Sequence, residues 1–102
     1  MEESRLMRSM LLDFYGQLLT EKQRECYDLH YNEDLSLSEI AEQSGISRQG
    51  VWDNIRRADA ALRELEEKTG RVRRVMELER ELEETREELG RLRELRGDGA
   101  RG

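Results

Sequence analysis

The sequence predicts an all-α protein in which a four-helix domain is followed by a long C-terminal helix. The chain of 102 residues contains no proline, so no helix interior is interrupted in that way. It has no sustained alternation of β-branched or aromatic residues with polar ones, the pattern of a half-buried strand. Apolar residues instead recur at helical spacing through most of the chain.

The composition separates a core-forming part from an appendage. Apolar residues make up 35% of the sequence and charged residues 41%, which is a poor ratio for one compact core of this length. We therefore predict a folded domain over residues 1–70, a charged heptad helix over 71–96 and a disordered, glycine-rich tail over 97–102.

The first two helices follow from an apolar stripe and a capping box. The stripe predicts a helix over 5–19 and consists of Leu6, Met10, Leu11, Phe14, Leu18 and Leu19. Gly16 is expected to end or bend this helix, because glycine costs about 1 kcal/mol relative to alanine in a helix interior. Thr20 and Gln23 have the spacing of a capping box, so the second helix should begin after Thr20 and run to about Tyr31.

The stretch from Leu37 to Leu62 has the residue types of a helix-turn-helix. A short third helix, capped by Ser36 or Ser38, leads to a tight turn at Gly45, where glycine tolerates the positive φ that the turn requires. Ser47 is expected to cap a fourth helix from Arg48 to about Lys68, with Gly70 as its stop. Small and apolar residues fall in register with Gly45 for the two helices to pack together: Ala41, Ile46, Val51 and Ile55. The five inward positions predicted for the fourth helix are Val51, Ile55, Ala58, Leu62 and Leu65.

The exposed face of the fourth helix carries the candidate binding residues. In a DNA-reading motif, the N-terminal residues of this helix meet base edges, and its cap and backbone N–H groups meet phosphate. The candidates are Ser47, Arg48, Gln49, Trp52, Asp53, Asn54, Arg56 and Arg57. Asp53 is expected to repel phosphate. For Trp52 three roles stay open: stacking on an unpaired base, anchoring a protein interface, or packing on another helix.

The charge balance limits how nucleic acid could be bound. The formal net charge is −6, which argues against a broad basic footprint. Residues 1–70 carry nine Lys/Arg and fifteen Asp/Glu, whereas residues 71–102 carry nine of each. Any nucleic-acid surface would therefore be a small basic patch on an acidic body.

No set of residues indicates catalysis, a cofactor or a metal. His30 is the only histidine and Cys26 lies one helical turn before it, but no third group orients a catalytic pair and the ligands are too few for a structural zinc. A single cysteine excludes an internal disulfide. The longest apolar run, Met10-Leu11-Leu12, supports neither a secretion signal nor a membrane span. We expect a non-enzymatic cytoplasmic protein without a membrane partner.

The C-terminal segment has a heptad seam of Val75, Leu78, Leu82, Thr85, Leu89 and Leu92. Opposite charges at the flanking positions suit a parallel homodimer through Val75, Leu78, Leu82, Leu89 and Leu92, the pairs being Arg74–Glu79, Glu81–Arg86 and Glu88–Arg93. There are two alternatives. The segment could be a solvated single helix stabilised by ion pairs between its own side chains, or it could pack against the first helix.

Residues 8–70 resemble the YlxM family of small bacterial proteins. The resemblance rests on Ser47-Arg48-Gln49, Asp53-Asn54-Ile55-Arg56-Arg57, the run Leu62 to Gly70, the run Leu11 to Thr20, Gln23 and Tyr27-Asp28-Leu29. The same helices resemble region 4 of bacterial sigma factors, which binds promoter DNA. Trp52 and Gly50 depart from the family, where tyrosine and alanine are more usual.

The YlxM resemblance implies a regulatory or accessory role in the signal recognition particle pathway, with binding to the particle's RNA, its Ffh GTPase or both. The likeness to sigma region 4 implies instead a transcription regulator that reads duplex DNA. The acidic body favours the first role, and the motif by itself favours the second.

Overall fold

The computed structural model describes residues 5–100, and every regular element in that range is helical. The elements in order are α1 (Arg5–Tyr15), a 3-10 turn (Gly16–Leu18), α2 (Glu21–Tyr31), α3 (Leu37–Ser44), α4 (Arg48–Thr69) and α5 (Arg71–Ala100). The all-α architecture, with four helices and a long C-terminal helix, is confirmed. The chain divides into two compact units, the first ending at Val72 and the second beginning at Arg73.

The ends of α2, α3 and α4 lie where the sequence predicts them, and for the expected reasons. Gly16 converts the end of α1 into the 3-10 turn. Thr20 closes a full capping box at the start of α2, and Ser36, rather than Ser38, closes one at the start of α3. Gly45 and Gly70 adopt left-handed conformations, with φ of 70° and 64°, which end α3 and α4 at little steric cost.

The core of the first unit forms around α4, which packs against α1, α2 and α3. The residues at most 1% exposed are Leu11, Cys26, Tyr27, Ile40, Val51, Ile55, Ala58, Leu62 and Val72. Four of the five inward positions predicted for α4 are therefore buried. The fifth, Leu65, is only half-buried, and the next residue, Glu66, is buried in its place.

The predicted apolar stripe of α1 needs correction. Leu11 is buried, but Leu6, Phe14 and Leu18 are exposed, and Tyr15 is 4% exposed although the stripe omitted it. Apolar residues occupy two sides of α1, and only the side toward the other helices is covered. Tyr15 can enter that side because its hydroxyl finds a polar partner there, donating to the Glu66 carboxylate at 2.8 Å.

The second unit contains α5 from Arg73 onward, and this helix is longer than predicted. The helix continues to Ala100, so residues 97–100 are helical rather than part of a disordered tail, and residues 101 and 102 lie outside the described residues. A helical glycine such as Gly97 weakens a helix without removing a backbone hydrogen bond, so it does not by itself stop one. The larger seam residues are exposed in the single chain: Leu78, Leu82, Leu89 and Leu92. Along residues 5–100, no helix combines the length and apolarity needed to cross a membrane.

Candidate nucleic-acid interface

The helix α3, the turn at Gly45 and the helix α4 form the predicted helix-turn-helix. The Gly45 N–H donates to Ala41 O at 3.0 Å, and a Cβ at Gly45 would meet nothing within 4 Å. Positive φ, rather than crowding, therefore selects glycine at this turn. Behind it, Ile40, Val51 and Ile55 pack with Cys26, and Ile46 packs against that cluster. This core fixes the direction in which α4 leaves the turn.

The start of α4 is held by its cap. Ser47 Oγ accepts from the Gly50 N–H at 3.0 Å. The N-terminal end of a helix carries partial positive charge and further N–H groups without helical partners. Because Ser47, Arg48 and Gln49 are all exposed, this end of α4 is open to an anionic group such as a phosphate.

An open groove of about 490 Å³ lies beside the first turns of α4. Its lining residues are Leu37, Arg48, Gln49 and Trp52. Trp52 is 39% exposed, and no aromatic ring or cation packs on it among the side chains that the structure describes, residues 5–97. Part of its indole is therefore accessible to a ligand. Leu37 was not among the predicted site residues. It is the first residue of α3 and packs partly on the core.

Asp53 is held in a network with two neighbours on α4. Its Oδ1 accepts from Gln49 Nε2 at 3.1 Å and from an Arg56 guanidinium N–H at 3.2 Å. The hydrogen bond from Arg56, followed by that from Gln49, lowers the pKa of the Asp53 carboxyl below its usual value. Asp53 is thus ionised, but its charge is balanced locally by Arg56, which reduces the repulsion of phosphate that the sequence suggested.

Two guanidinium groups remain available on α4. Arg48 and Arg57 are exposed, and neither makes a hydrogen bond or an ion pair with any residue that the structure describes. They lie nine residues apart, which is two and a half turns and about 14 Å along a helix axis, so they project from opposite sides of α4. Of the two, Arg48 is the one that lines the groove.

Asn54 does not join the other candidates. Its Nδ2 donates to Gly50 O, one turn earlier in α4, at 2.8 Å, and the side chain is half-buried. The amide is therefore occupied within its own helix. Of the eight predicted residues, Asp53 and Asn54 are half-buried and the other six are exposed. Those that line the groove are Arg48, Gln49 and Trp52.

The two nucleophilic or basic side chains considered in the sequence lie elsewhere. Cys26 is fully buried, and burial raises the pKa of its thiol, which disfavours the reactive thiolate. His30 Nδ1 lies 2.9 Å from Leu35 O, and its ring meets the edge of Tyr31. Both side chains are explained by packing within the first unit.

Comparison with known proteins identifies the family. The model of the family described as "Putative helix-turn-helix protein, YlxM / p13 like", UPF0122, matches residues 2–95. The chain belongs to the UPF0122 family. The match reaches beyond the helix-turn-helix unit into most of α5, so the long C-terminal helix is also part of the family's pattern.

Named UPF0122 relatives cover most of the chain. The protein from Thermoanaerobacter sp. (strain X514) is 43% identical over 98 residues, which are 96% of this chain and 84% of the relative. That from Acetivibrio thermocellus is 56% identical over 69 residues, 68% of this chain and 59% of the relative. The relative from Halalkalibacterium halodurans is 53% identical over 68 residues, which are 67% of this chain and 62% of the relative. Identity is higher in the two shorter matches.

Proposed function

We propose that this UPF0122 protein is a non-enzymatic cytoplasmic regulator of the signal recognition particle pathway. In this proposal it binds the particle's RNA, its Ffh GTPase or both, and α4 supplies the RNA contact. The observation that carries the RNA contact is the groove where the exposed Trp52 lies beside the unpaired guanidinium of Arg48. The pathway itself comes from the resemblance to the YlxM family.

The site suits RNA because of the groups it combines. Sequence-specific RNA recognition uses unpaired bases that stack on aromatic side chains, together with contacts to the backbone. Trp52 offers the aromatic face, and Arg48, which lines the same groove, offers a contact to phosphate. The acidic remainder of the protein, with its net charge of −6, opposes nonspecific binding to long duplexes. Such a protein would favour a local RNA structure over duplex DNA in general.

A second candidate function is duplex-DNA recognition in the manner of sigma region 4. The observation that favours it is the helix-turn-helix geometry, with the capped N-terminal end of α4 exposed, the end that meets DNA in such motifs. This function predicts specific duplex binding that weakens steeply as salt rises.

We further propose that α5 brings two copies together as a parallel coiled coil. The exposed leucines of its seam support this proposal, since burial against a second copy would remove them from water. The pairs Arg74–Glu79, Glu81–Arg86 and Glu88–Arg93 would then lie between copies. In the single chain, Arg74 is close to Glu77 instead, at 3.5 Å, a weak exposed contact that can exchange for another.

The test of the proposed function is the fluorescence anisotropy of labelled protein titrated with reconstituted signal recognition particle at physiological salt. Binding that survives an excess of random DNA duplex supports the accessory role, and repeating the titration with the RNA alone and with Ffh alone identifies the component contacted. Absence of binding to the particle and both components, with salt-sensitive binding to duplex, would refute it in favour of the DNA regulator.

A further inference from the structure

We infer that the start of α5 is a second RNA-binding surface, which contacts the phosphate backbone through an arginine cluster. The α5 arginine cluster consists of Arg71, Arg73 and Arg74, and it is the one stretch of the sequence with three basic residues within four positions. This inference rests on the proposed function. It adds to that function a backbone contact outside the helix-turn-helix, on a different helix from the groove of α4.

The charge of α5 is divided unevenly along the helix. Residues 69–76 contain three arginines and no acidic residue, whereas residues 77–96 contain eight glutamates and five arginines. The N-terminal end of a helix carries partial positive charge and is stabilised by acidic side chains in its first turn, but the first turn of α5 has none. The arginine cluster therefore opposes the stability of its own helix. Such departures from the local rules of folding are expected at functional sites.

The arginines are accessible and project from a fixed backbone. All three are exposed, and the Arg71 guanidinium makes no hydrogen bond or ion pair with any residue that the structure describes. Arg74 lies 3.5 Å from Glu77, an exposed contact that an anion can displace. Val72, within the cluster, is fully buried, and its N–H donates to the Glu66 carboxylate at 3.0 Å. The first turn of α5 is thus anchored, as a binding site on a rigid element requires.

The chemistry of the cluster fits a phosphate backbone. A guanidinium group binds phosphate oxygens through two parallel hydrogen bonds, and contacts of this kind position a nucleic acid without reading its bases. Arg71 and Arg74 are three residues apart and share one side of α5, whereas Arg73 projects from another side. In the proposed parallel coiled coil, the two helices begin at the same end, so both copies contribute their arginines to one basic surface.

A backbone contact is recognised by its independence of sequence and its dependence on salt. We would measure the affinity of the full-length protein for signal recognition particle RNA and for an unrelated RNA hairpin of the same length, at several salt concentrations. The test variant is Arg71→Gln/Arg73→Gln, which spares Arg74 because that residue belongs to a proposed pair of the coiled coil. The control variant is Arg80→Gln/Arg91→Gln. Its two arginines are exposed on the same helix, outside the seam and its flanking charge pairs.

We expect Arg71→Gln/Arg73→Gln to reduce the slope of log affinity against log salt concentration by about 1.4–1.8, because each lost phosphate contact accounts for about 0.7–0.9. The affinity should fall by the same factor for both RNAs, and the control variant should stay close to the parent protein. Thermal unfolding followed by circular dichroism should show no loss of stability in the test variant, since it removes positive charge from a helix N-terminus.

The outcomes distinguish this inference from the proposed function. Unchanged affinity and salt slope in the folded test variant overturn the cluster and leave the α4 contact intact. Equal losses in the two double variants overturn it as well, because the effect then follows net charge rather than position. A loss for only one of the two RNAs overturns the assignment to the backbone.

Two further outcomes concern the partner. If phosphatidylserine vesicles bind the parent protein but not the test variant, and RNA affinity is the same for both proteins, the assignment to RNA is overturned in favour of lipid headgroups. Absence of binding to both RNAs also overturns the inference, and the proposed function is then judged by the titrations with Ffh alone and with the assembled particle.

Discussion

At the scale of single residues, Asp53 determines the electrostatics of the proposed binding face. Its carboxylate is oriented by Arg56 and Gln49, so one acid and one base cancel and Arg48 and Arg57 remain as the unpaired cations. The same contacts hold the Gln49 amide in place. A residue that looks unfavourable for binding phosphate thereby organises the site.

The pairing predicts the titration of Asp53. Because the pKa of Asp53 is lowered in the folded protein, its hydrogen bonds stabilise the fold at pH values above the ordinary pKa of 3.8. This stabilisation is lost as the pH falls through the lowered pKa. Carboxyl-detected NMR should give a midpoint below 3.8, and Arg56→Ala should raise it toward that value. Arg57→Ala, which removes only a longer-range attraction, should raise it less. An unchanged midpoint in Arg56→Ala would show that the pair does not persist in solution.

What could be predicted at this scale depended on whether the backbone or the side chain carries the signal. Gly45 and Ser47 were predictable because positive φ and a helix cap restrict the residue type almost independently of tertiary structure. The partners of Asp53 and the internal hydrogen bond of Asn54 depend on side-chain conformation, which spacing alone does not determine.

At the scale of elements, a buried carboxylate joins α1, α4 and the first turn of α5. Glu66 on α4 accepts from the Tyr15 hydroxyl at 2.8 Å and from the Val72 N–H at 3.0 Å. The Thr69 hydroxyl also hydrogen-bonds Tyr15. The Val72 N–H lies in the first turn of α5, where backbone N–H groups have no partner within their own helix. The Glu66 carboxylate supplies the missing acceptor. The sequence did not predict this cluster because Tyr15 lies 51 and 54 residues before its partners Glu66 and Thr69, and an acidic residue is usually placed outside the core.

Removing the Tyr15 hydroxyl tests this junction. Because Tyr15→Phe withdraws one donor from a buried carboxylate, we expect a loss of about 1–3 kcal/mol in the free energy of unfolding, measured by urea denaturation. Tyr31→Phe is the matched control. The Tyr31 ring packs on Tyr27 and under Arg8. Because a phenylalanine ring keeps most of these contacts, Tyr31→Phe should lower the free energy of unfolding much less. Equal losses in the two variants would contradict the role assigned to the Tyr15 hydroxyl.

The cap of α3 gives a second test at this scale. Ser36 Oγ accepts from the Glu39 N–H at 3.1 Å, and the Glu39 carboxylate accepts from the Ser36 N–H at 3.0 Å. Ser36→Ala should therefore lower the free energy of unfolding by about 1 kcal/mol. Ser38→Ala removes an equally exposed hydroxyl within the helix and should change it little. A larger effect at Ser38 would show that the helix begins at the other candidate cap.

At the scale of the whole molecule, the chain combines a compact first unit with a helix that has no complete core of its own. The predicted division into a folded domain and a charged helix rests on composition and periodicity, since α5 combines many charged residues with a narrow leucine seam. The extension of α5 through residues 97–100 was not predicted, because glycine was given too much weight as a helix stop.

The proposed coiled coil predicts a change of oligomeric state on breaking the seam. Leu82→Asp places a charge at a buried seam position of the dimer and should shift sedimentation equilibrium from dimer to monomer. Leu95→Asp is the control, because Leu95 is an exposed leucine of the same helix that lies outside the seam. A monomeric parent protein, or equal dissociation by both variants, would contradict the coiled coil.

The central claim is that α4 contacts the RNA of the signal recognition particle, and the most direct test is the affinity of that RNA for the parent protein, Arg48→Ala and Arg63→Ala. Arg63 lies on the same helix and forms an ion pair with Asp59, so the two variants remove the same charge at different places. We expect Arg48→Ala to weaken binding at least ten-fold and to make its salt dependence shallower by about one phosphate contact, with Arg63→Ala close to the parent protein. Equal effects of the two substitutions, or no effect of Arg48→Ala in a folded protein, would contradict the account.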